Sequence, residues 1–159
     1  MKRLIVLALL AAGALALPAT ASAARLQGSD HGGAPFTVTL APSVSDSTGS
    51  GSARLTINPG QEEVCWDIHV SGLTTPITAS HIHRGNAGTN GPVVVPFFQF
   101  ATPSTATAFS GCASHNAINI TTSERALLNA IIANPSGYYV NVHTTKHPAG
   151  EVRGQLVGP

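Results

Sequence analysis

Three histidines occupy positions whose spacing could bring their ring nitrogens together. His81 and His83 are two residues apart in one alternating run, and His143 lies near the end of another. Residues two apart on a β-strand project from the same face, so His81 and His83 share a face while Ile82 points to the other. Neutral imidazole is a good ligand for both copper and zinc. If the two strands are neighbours, the spacing predicts a Cu or Zn site formed by His81, His83 and His143.

A second interpretation of the same residues needs no metal. His81 and His83 can hydrogen-bond to the Gly-rich segment 85–92, and His143 to the backbone of a neighbouring strand, which would order the turns. The His-x-His pair is also similar to the copper side of Cu/Zn superoxide dismutases. However, the sequence shows no clear second cluster of histidines with a carboxylate for zinc. Both interpretations remain open from the sequence.

The other polar pairs indicate structure more than catalysis. Asp67 and His69 alternate on one strand and predict a surface pair, whereas Glu151 and Arg153 predict a strand-end salt bridge or cross-strand pair. The sequence contains no Gly-x-Ser-x-Gly elbow, phosphate loop or dinucleotide fingerprint. We therefore name no catalytic residue.

The start of the chain has the pattern of an export signal. Lys2 and Arg3 precede the apolar stretch Leu4–Leu17, which is too short to span a bilayer comfortably. The small residues Ala21-Ser22-Ala23 then form a signal-peptidase site. We predict a signal peptide over 1–23 and one mature domain over 24–159, secreted or periplasmic, without a transmembrane segment. An uncleaved membrane anchor is the alternative.

The two cysteines, Cys65 and Cys112, are predicted to form a disulfide because an exported chain meets an oxidising environment. Closing this loop would stabilise the fold by about 4 kcal/mol on the chain-entropy model. Two free thiols, or a metal role for them, are the alternatives, although neither cysteine belongs to a Cys-x-x-Cys pair.

The composition restricts the class of partner. Only 9% of residues are charged and the formal net charge is +1, so no basic surface for nucleic acid is indicated. Apolar residues make up 43% of the chain and are separated by short Ser, Thr, Asn and Gly clusters, which is typical of strands joined by turns. The expected partner is a metal ion or a protein, and the sequence does not fix the oligomeric state.

Short alternating runs with Gly/Pro turns between them predict an all-β domain, an antiparallel β-sandwich or Greek-key barrel of superoxide-dismutase-like or Ig-like type. The runs are 25–27, 36–40, 53–57, 63–70, 78–83, 93–95, 138–144 and 151–156. Within them, Trp66 shares a face with aliphatic residues and is predicted to anchor the core. One short helix is indicated by the capping box Thr121-x-x-Glu124 and by apolar residues at helical spacing as far as Ile132.

Four motifs occur together and in order along the chain: Ala79–Gly85, Asn90–Val94, Tyr138–Thr144 and Gly150–Leu156. With these motifs the chain resembles the CHRD domain, a module named after chordin, over roughly Leu26 to Val157. The resemblance implies an extracellular β-sandwich module of the kind found in bacterial secreted proteins. It implies nothing specific about activity.

These observations lead to one main functional hypothesis. We expect an exported, non-enzymatic CHRD-type binding module that holds a transition metal, copper favoured over zinc, through the histidine cluster. A metal-free adhesion or structural module is the first alternative. A copper-dependent redox enzyme of superoxide-dismutase type is the second.

Overall fold

The computed structural model describes residues 32–114 and 124–158, which form eight strands, one α-helix and a short 3-10 turn. The elements are β1 Ala34–Pro42, β2 Ser50–Asn58, β3 Glu63–Ser71, β4 Ile77–Arg84, β5 Val93–Ser104, β6 Ala108–Ala113, α1 Glu124–Ala133, the 3-10 turn Pro135–Gly137, β7 Tyr138–Thr144 and β8 Val152–Gln155. The predicted signal peptide 1–23, the run 25–27 and the capping residue Thr121 lie outside the described residues. No helix in the described part of the chain has the length and apolarity needed to cross a membrane.

The strands form one antiparallel sheet in the order β5-β4-β7-β8-β1-β2-β3-β6, which curls into a nearly closed barrel. Its two edge strands, β5 and β6, face each other across the seam. There the rings of Phe98 and Phe109 lie 5.0 Å apart between centroids. The predicted all-β barrel with one short helix is thereby confirmed.

Alternating side chains fill the barrel interior. On β3, Val64, Trp66, Ile68 and Val70 point inward, as the period of two requires, and all four are buried. Trp66 stacks on Phe97 with ring centroids 4.8 Å apart, so its predicted role as a core anchor is confirmed. Each such side chain contributes roughly 1.5–3 kcal/mol when fully buried. The buried face of α1 belongs to the same core through Leu127, Leu128 and Ile131.

Strand β6 was not predicted from the sequence, because it carries few large apolar residues at alternate positions. Its place is set by pairing with β3, which puts Cys112 directly opposite Cys65. The two sulfur atoms form the predicted disulfide at 2.06 Å. Residue 111, next to Cys112, has to be glycine, because a Cβ there would lie 2.8 Å from the Trp66 ring.

Two loops fold back over the outer face of β4, β7 and β8. The first, residues 85–92, joins β4 to β5; the second, residues 145–151, joins β7 to β8. The backbone N–H of Gly91 in the first loop donates to the Tyr139 hydroxyl at 3.2 Å. In the second loop, the Ala149 carbonyl accepts from the Asn141 side chain at 3.0 Å. Tyr139 and Asn141 are therefore buried although they point away from the barrel interior.

Candidate metal site

The condition for a three-histidine cluster is met, because β4 and β7 are antiparallel neighbours. In their register His81 lies opposite Asn141 and His83 opposite Tyr139, while His143 is diagonal to His81. Diagonal partners on one face are within reach of long side chains. All three imidazoles consequently meet on the outer face of the barrel, beneath the two loops.

The ring nitrogens are close enough to share an ion. Nδ1 of His81 lies 3.2 Å from Nε2 of His143, and one nitrogen from each ring falls within 4.8 Å of the other two. Metal–nitrogen bonds of about 2.0–2.1 Å in a tetrahedral site require nitrogens about 3.3–3.4 Å apart. The His81–His143 pair is already near that separation. The His83 ring is farther away, with its centroid 5.6 Å from each of the other two.

Each of the two loops orients one histidine through a backbone carbonyl. Nδ1 of His83 lies 2.9 Å from the Gly91 oxygen, and Nδ1 of His143 lies 2.9 Å from the Pro148 oxygen. A carbonyl oxygen only accepts, so each Nδ1 carries the proton and each Nε2 keeps a lone pair. Nε2 of His83 is buried and has no hydrogen-bond partner among the described residues. Nε2 of His143 accordingly accepts a hydrogen bond from Nδ1 of His81, so of these two Nε2 atoms only that of His83 presents an unoccupied lone pair. An ion bound by all three rings would replace the His81–His143 hydrogen bond.

Three residues that were not predicted from the sequence to belong to the site hold this arrangement in place. Arg153 donates to the Thr89 carbonyl at 3.0 Å and lies 3.6 Å above the centroid of the Tyr139 ring. Tyr139 in turn stacks on His83 with centroids 4.9 Å apart and planes inclined by 7°. Asn141 fixes the second loop through Ala149. For Tyr139 and Asn141 the sequence did contain a signal. They alternate with the core residues of β7 and therefore share a face with His143.

Burial keeps the cluster neutral. Desolvation, reinforced by repulsion from the other two histidines, lowers the pKa of His81 to about 4. Desolvation also lowers the pKa of His83 and of His143, and the hydrogen bonds to the Gly91 and Pro148 carbonyls oppose it only in part. At neutral pH the three rings are uncharged, so a metal ion does not have to displace protons from them.

Of the two other polar pairs predicted from the sequence, one is present in the structure and one is not. Asp67 and His69 form the predicted surface pair, 3.0 Å apart, with His69 largely exposed. The predicted pairing of Glu151 with Arg153 is wrong. Glu151 is fully buried and accepts hydrogen bonds from Ser47, Thr74 and Thr144, whereas Arg153 reaches across to the first loop. A metal role for Cys65 and Cys112 is excluded in this state because their sulfurs are bonded to each other.

The described residues form a small antiparallel β-barrel domain of eight strands. A disulfide joins two neighbouring strands, and a histidine cluster lies beneath two loops. The model of the CHRD domain family matches residues 23–156. The chain therefore belongs to the CHRD domain family. Searches of curated proteins and of solved structures found no match.

Proposed function

We propose that this CHRD-domain protein is an exported binding module that holds one transition-metal ion, copper in preference to zinc, through His81, His83 and His143. The observation that carries the proposal is Nε2 of His83, which is buried without a hydrogen-bond partner among the described residues while Nδ1 of the same ring is fixed. Leaving such an atom unsatisfied costs roughly 1–3 kcal/mol. A metal ion shared with the other two histidines would satisfy it.

The chemistry of the ligands supports copper. Three imidazole nitrogens form a donor set for which divalent copper has a higher affinity than divalent zinc, following the Irving–Williams order. The Nδ1 hydrogen bonds to backbone carbonyls are the outer contacts that metal-binding histidines usually make. The same three ligands would leave a coordination position free, so a redox activity is an outcome to be measured on the same sample.

Export is part of the proposal. It is supported by the signal-like pattern at the start of the chain and by the disulfide, which belongs to oxidising compartments. N-terminal sequencing of exported protein is expected to begin at Ala24. Material that retains Leu4–Leu17 would contradict cleavage.

The metal is tested on protein purified without an affinity tag. Wild type and the variants H81A, H83A and H143A are dialysed against limiting, equimolar copper and zinc, with and without ascorbate, and their metal content is measured by mass spectrometry. We expect one copper per wild-type chain. Loss of a ligand should weaken binding by more than the 10–100-fold typical of changes to outer contacts. H69A is the control, because His69 is an exposed histidine outside the cluster.

Each outcome distinguishes among the functions. Copper without superoxide turnover supports the binding module, and copper with turnover supports a redox enzyme. If wild type retains neither metal, the histidines only order the two loops, and a metal-free adhesion or structural module replaces our proposal. Zinc in preference to copper would contradict the assignment of the metal.

A further inference from the structure

We infer that the histidine site is selective for monovalent copper, Cu(I), over divalent Cu(II) and Zn(II). This inference rests on the proposed function, since it concerns the charge of the ion that the same three histidines would hold. Four features of the site carry it: the charge of the donors, their burial, the position of a nearby cation and the number of ligands.

The donors carry no negative charge. The group of mutually close ligand atoms contains three imidazoles and no Asp or Glu among the residues that the structure describes. Oδ1 of Asn141, another buried polar atom without a hydrogen-bond partner among the described residues, belongs to a neutral amide. A bound ion would therefore keep its full charge, without compensation from its ligands.

Burial makes that uncompensated charge costly. His83 and His143 are each only 7% exposed, beneath the loops that follow β4 and β7. The Born cost of moving an ion from water into a medium of low dielectric constant grows with the square of its charge, so a dication pays about four times as much as a monocation of similar size. Without an anionic ligand, the site should favour the lower charge.

A cation stands close to the site on the β8 side. The guanidinium of Arg153 lies over Tyr139, which stacks on His83, and both groups that accept its hydrogen bonds, the Thr89 carbonyl and the Asn90 side-chain oxygen, are neutral. Lys146 of the second loop pairs with Asp46 of the β1–β2 connection at 2.8 Å. The carboxylate of Glu151, at the end of the second loop, is turned to Ser47, Thr74 and Thr144, which donate hydrogen bonds to it. Arg153 therefore repels any bound cation, and it repels a dication twice as strongly.

The number of ligands acts in the same direction. Cu(I) is stable with three ligands, whereas Zn(II) takes at least four. The described cluster contains no Asp, Glu or Cys that could act as a negatively charged fourth ligand. The geometry thus suits Cu(I) as it stands, while a divalent ion would need an added anion or water.

The test is a pair of competition titrations on the full-length mature protein. Cu(I) affinity is measured under ascorbate against bicinchoninate, and Cu(II) affinity in air against a chromophoric chelator. We expect the dissociation constant for Cu(II) to exceed that for Cu(I) by at least about 100-fold, which corresponds to a reduction potential about 120 mV above that of aqueous copper. Zn(II) should bind more weakly than Cu(I).

Two variants of Arg153 isolate its charge. R153Q removes the charge and should reduce the Cu(II)-to-Cu(I) ratio several-fold, whereas R153K keeps the charge and should leave the ratio near the wild-type value. A ratio near one, or tighter Cu(II) binding, would overturn the inference while leaving the copper-binding function intact. Absence of binding of either ion would instead overturn the proposed function.

Discussion

Two properties prepare the histidine cluster for a metal: the position of the proton on the ring and the neutrality of the three rings. The carbonyls of Gly91 and Pro148 fix which nitrogen of His83 and His143 holds the proton, and burial keeps all three rings neutral. Of the contacts in the metal-free interpretation, the structure has the one from His83 to the Gly-rich segment, whereas His143 bonds to the second loop and His81 contacts His143. The hydrogen bonds that order the loops are also those that would prepare Nε2 for a metal.

The neutral cluster predicts a pH dependence for the stability of the metal-free protein. Histidine in the unfolded chain titrates near pH 6.5, while His81 in the folded protein has a pKa of about 4. Between these values the unfolded state binds more protons, so the stability that is present above pH 6.5 is progressively lost as the pH falls to about 4. Urea unfolding of metal-free protein between pH 7.5 and 4 measures this loss.

The variant H81Q provides the comparison. Because it removes the histidine with the most strongly lowered pKa, the decline in unfolding free energy between pH 6.5 and 4 should be smaller than in wild type. Equal declines in both proteins, or a stability that does not change over this range, would show that His81 titrates normally in the folded state.

At this scale the sequence predicted which residues meet but only in part how they are held. Same-face spacing placed His81 with His83, and the alternation of β7 placed His143 on its outer face. A hydrogen bond from His83 to the segment 85–92 was among the predicted contacts and is present. The carbonyl partner of His143 was not predicted, because it depends on how the loops 85–92 and 145–151 fold back over the sheet. The contacts of Arg153 depend on the same loops, so its pairing with Glu151 was predicted wrongly.

Among the elements, the connections at one end of the barrel are joined by a buried carboxylate. Glu151 precedes β8 and accepts hydrogen bonds from Ser47 between β1 and β2, from Thr74 between β3 and β4, and from Thr144 at the end of β7. Burial raises the pKa of Glu151, but these hydrogen bonds together outweigh it and leave the pKa below its ordinary value. The carboxylate is therefore ionised in the folded protein at neutral pH.

Replacing this carboxylate should destabilise the fold without touching the histidines. In E151Q the new amide group would face hydroxyl and N–H donors, which leaves at least one buried group unsatisfied and should cost roughly 1–3 kcal/mol. Urea unfolding at pH 7 measures the change. D67N, which alters the surface pair with His69, should stay within about 0.5 kcal/mol of wild type. A similar, small effect of both substitutions would contradict the structural role of Glu151.

Hairpins with clear alternation were the elements that the sequence predicted well. The β2–β3 pair and the β7–β8 pair both lie where the runs 53–57, 63–70, 138–144 and 151–156 indicated. Strand β6 was missed because its residues gain their strand conformation from pairing with β3 and not from a pattern of their own. Such long-range pairing leaves little trace in local sequence.

At the scale of the whole molecule, the disulfide links an edge strand of the sheet to its neighbour. It joins β3 to the edge strand β6, next to the seam where the barrel is not closed by hydrogen bonds. The double variant C65A/C112A should lose up to about 4 kcal/mol of unfolding free energy, since the unfolded chain is no longer restrained over the loop between them. Urea unfolding of oxidised wild type and of the variant provides the measurement, with reduced wild type as the control. Equal stability of the oxidised and reduced forms would contradict this estimate.

The barrel also explains why the fold class could be predicted and the site only in outline. Alternation and turn residues indicate an all-β domain irrespective of how the strands pair. The site, in contrast, requires β4 beside β7, two strands separated along the chain by β5, β6 and α1. Whether β4 lies beside β7 depends on the order of all the strands in the sheet, which local sequence patterns do not give.

The central claim is that one copper ion is bound by His81, His83 and His143, and anomalous diffraction at the copper edge from crystals of copper-loaded protein tests it most directly. We predict one anomalous peak per chain on the outer face of the barrel. It should lie about 2.0–2.1 Å from Nε2 of His83, Nε2 of His143 and one ring nitrogen of His81. A peak located elsewhere, or copper-loaded crystals in which these three histidines surround no peak, would contradict the claim.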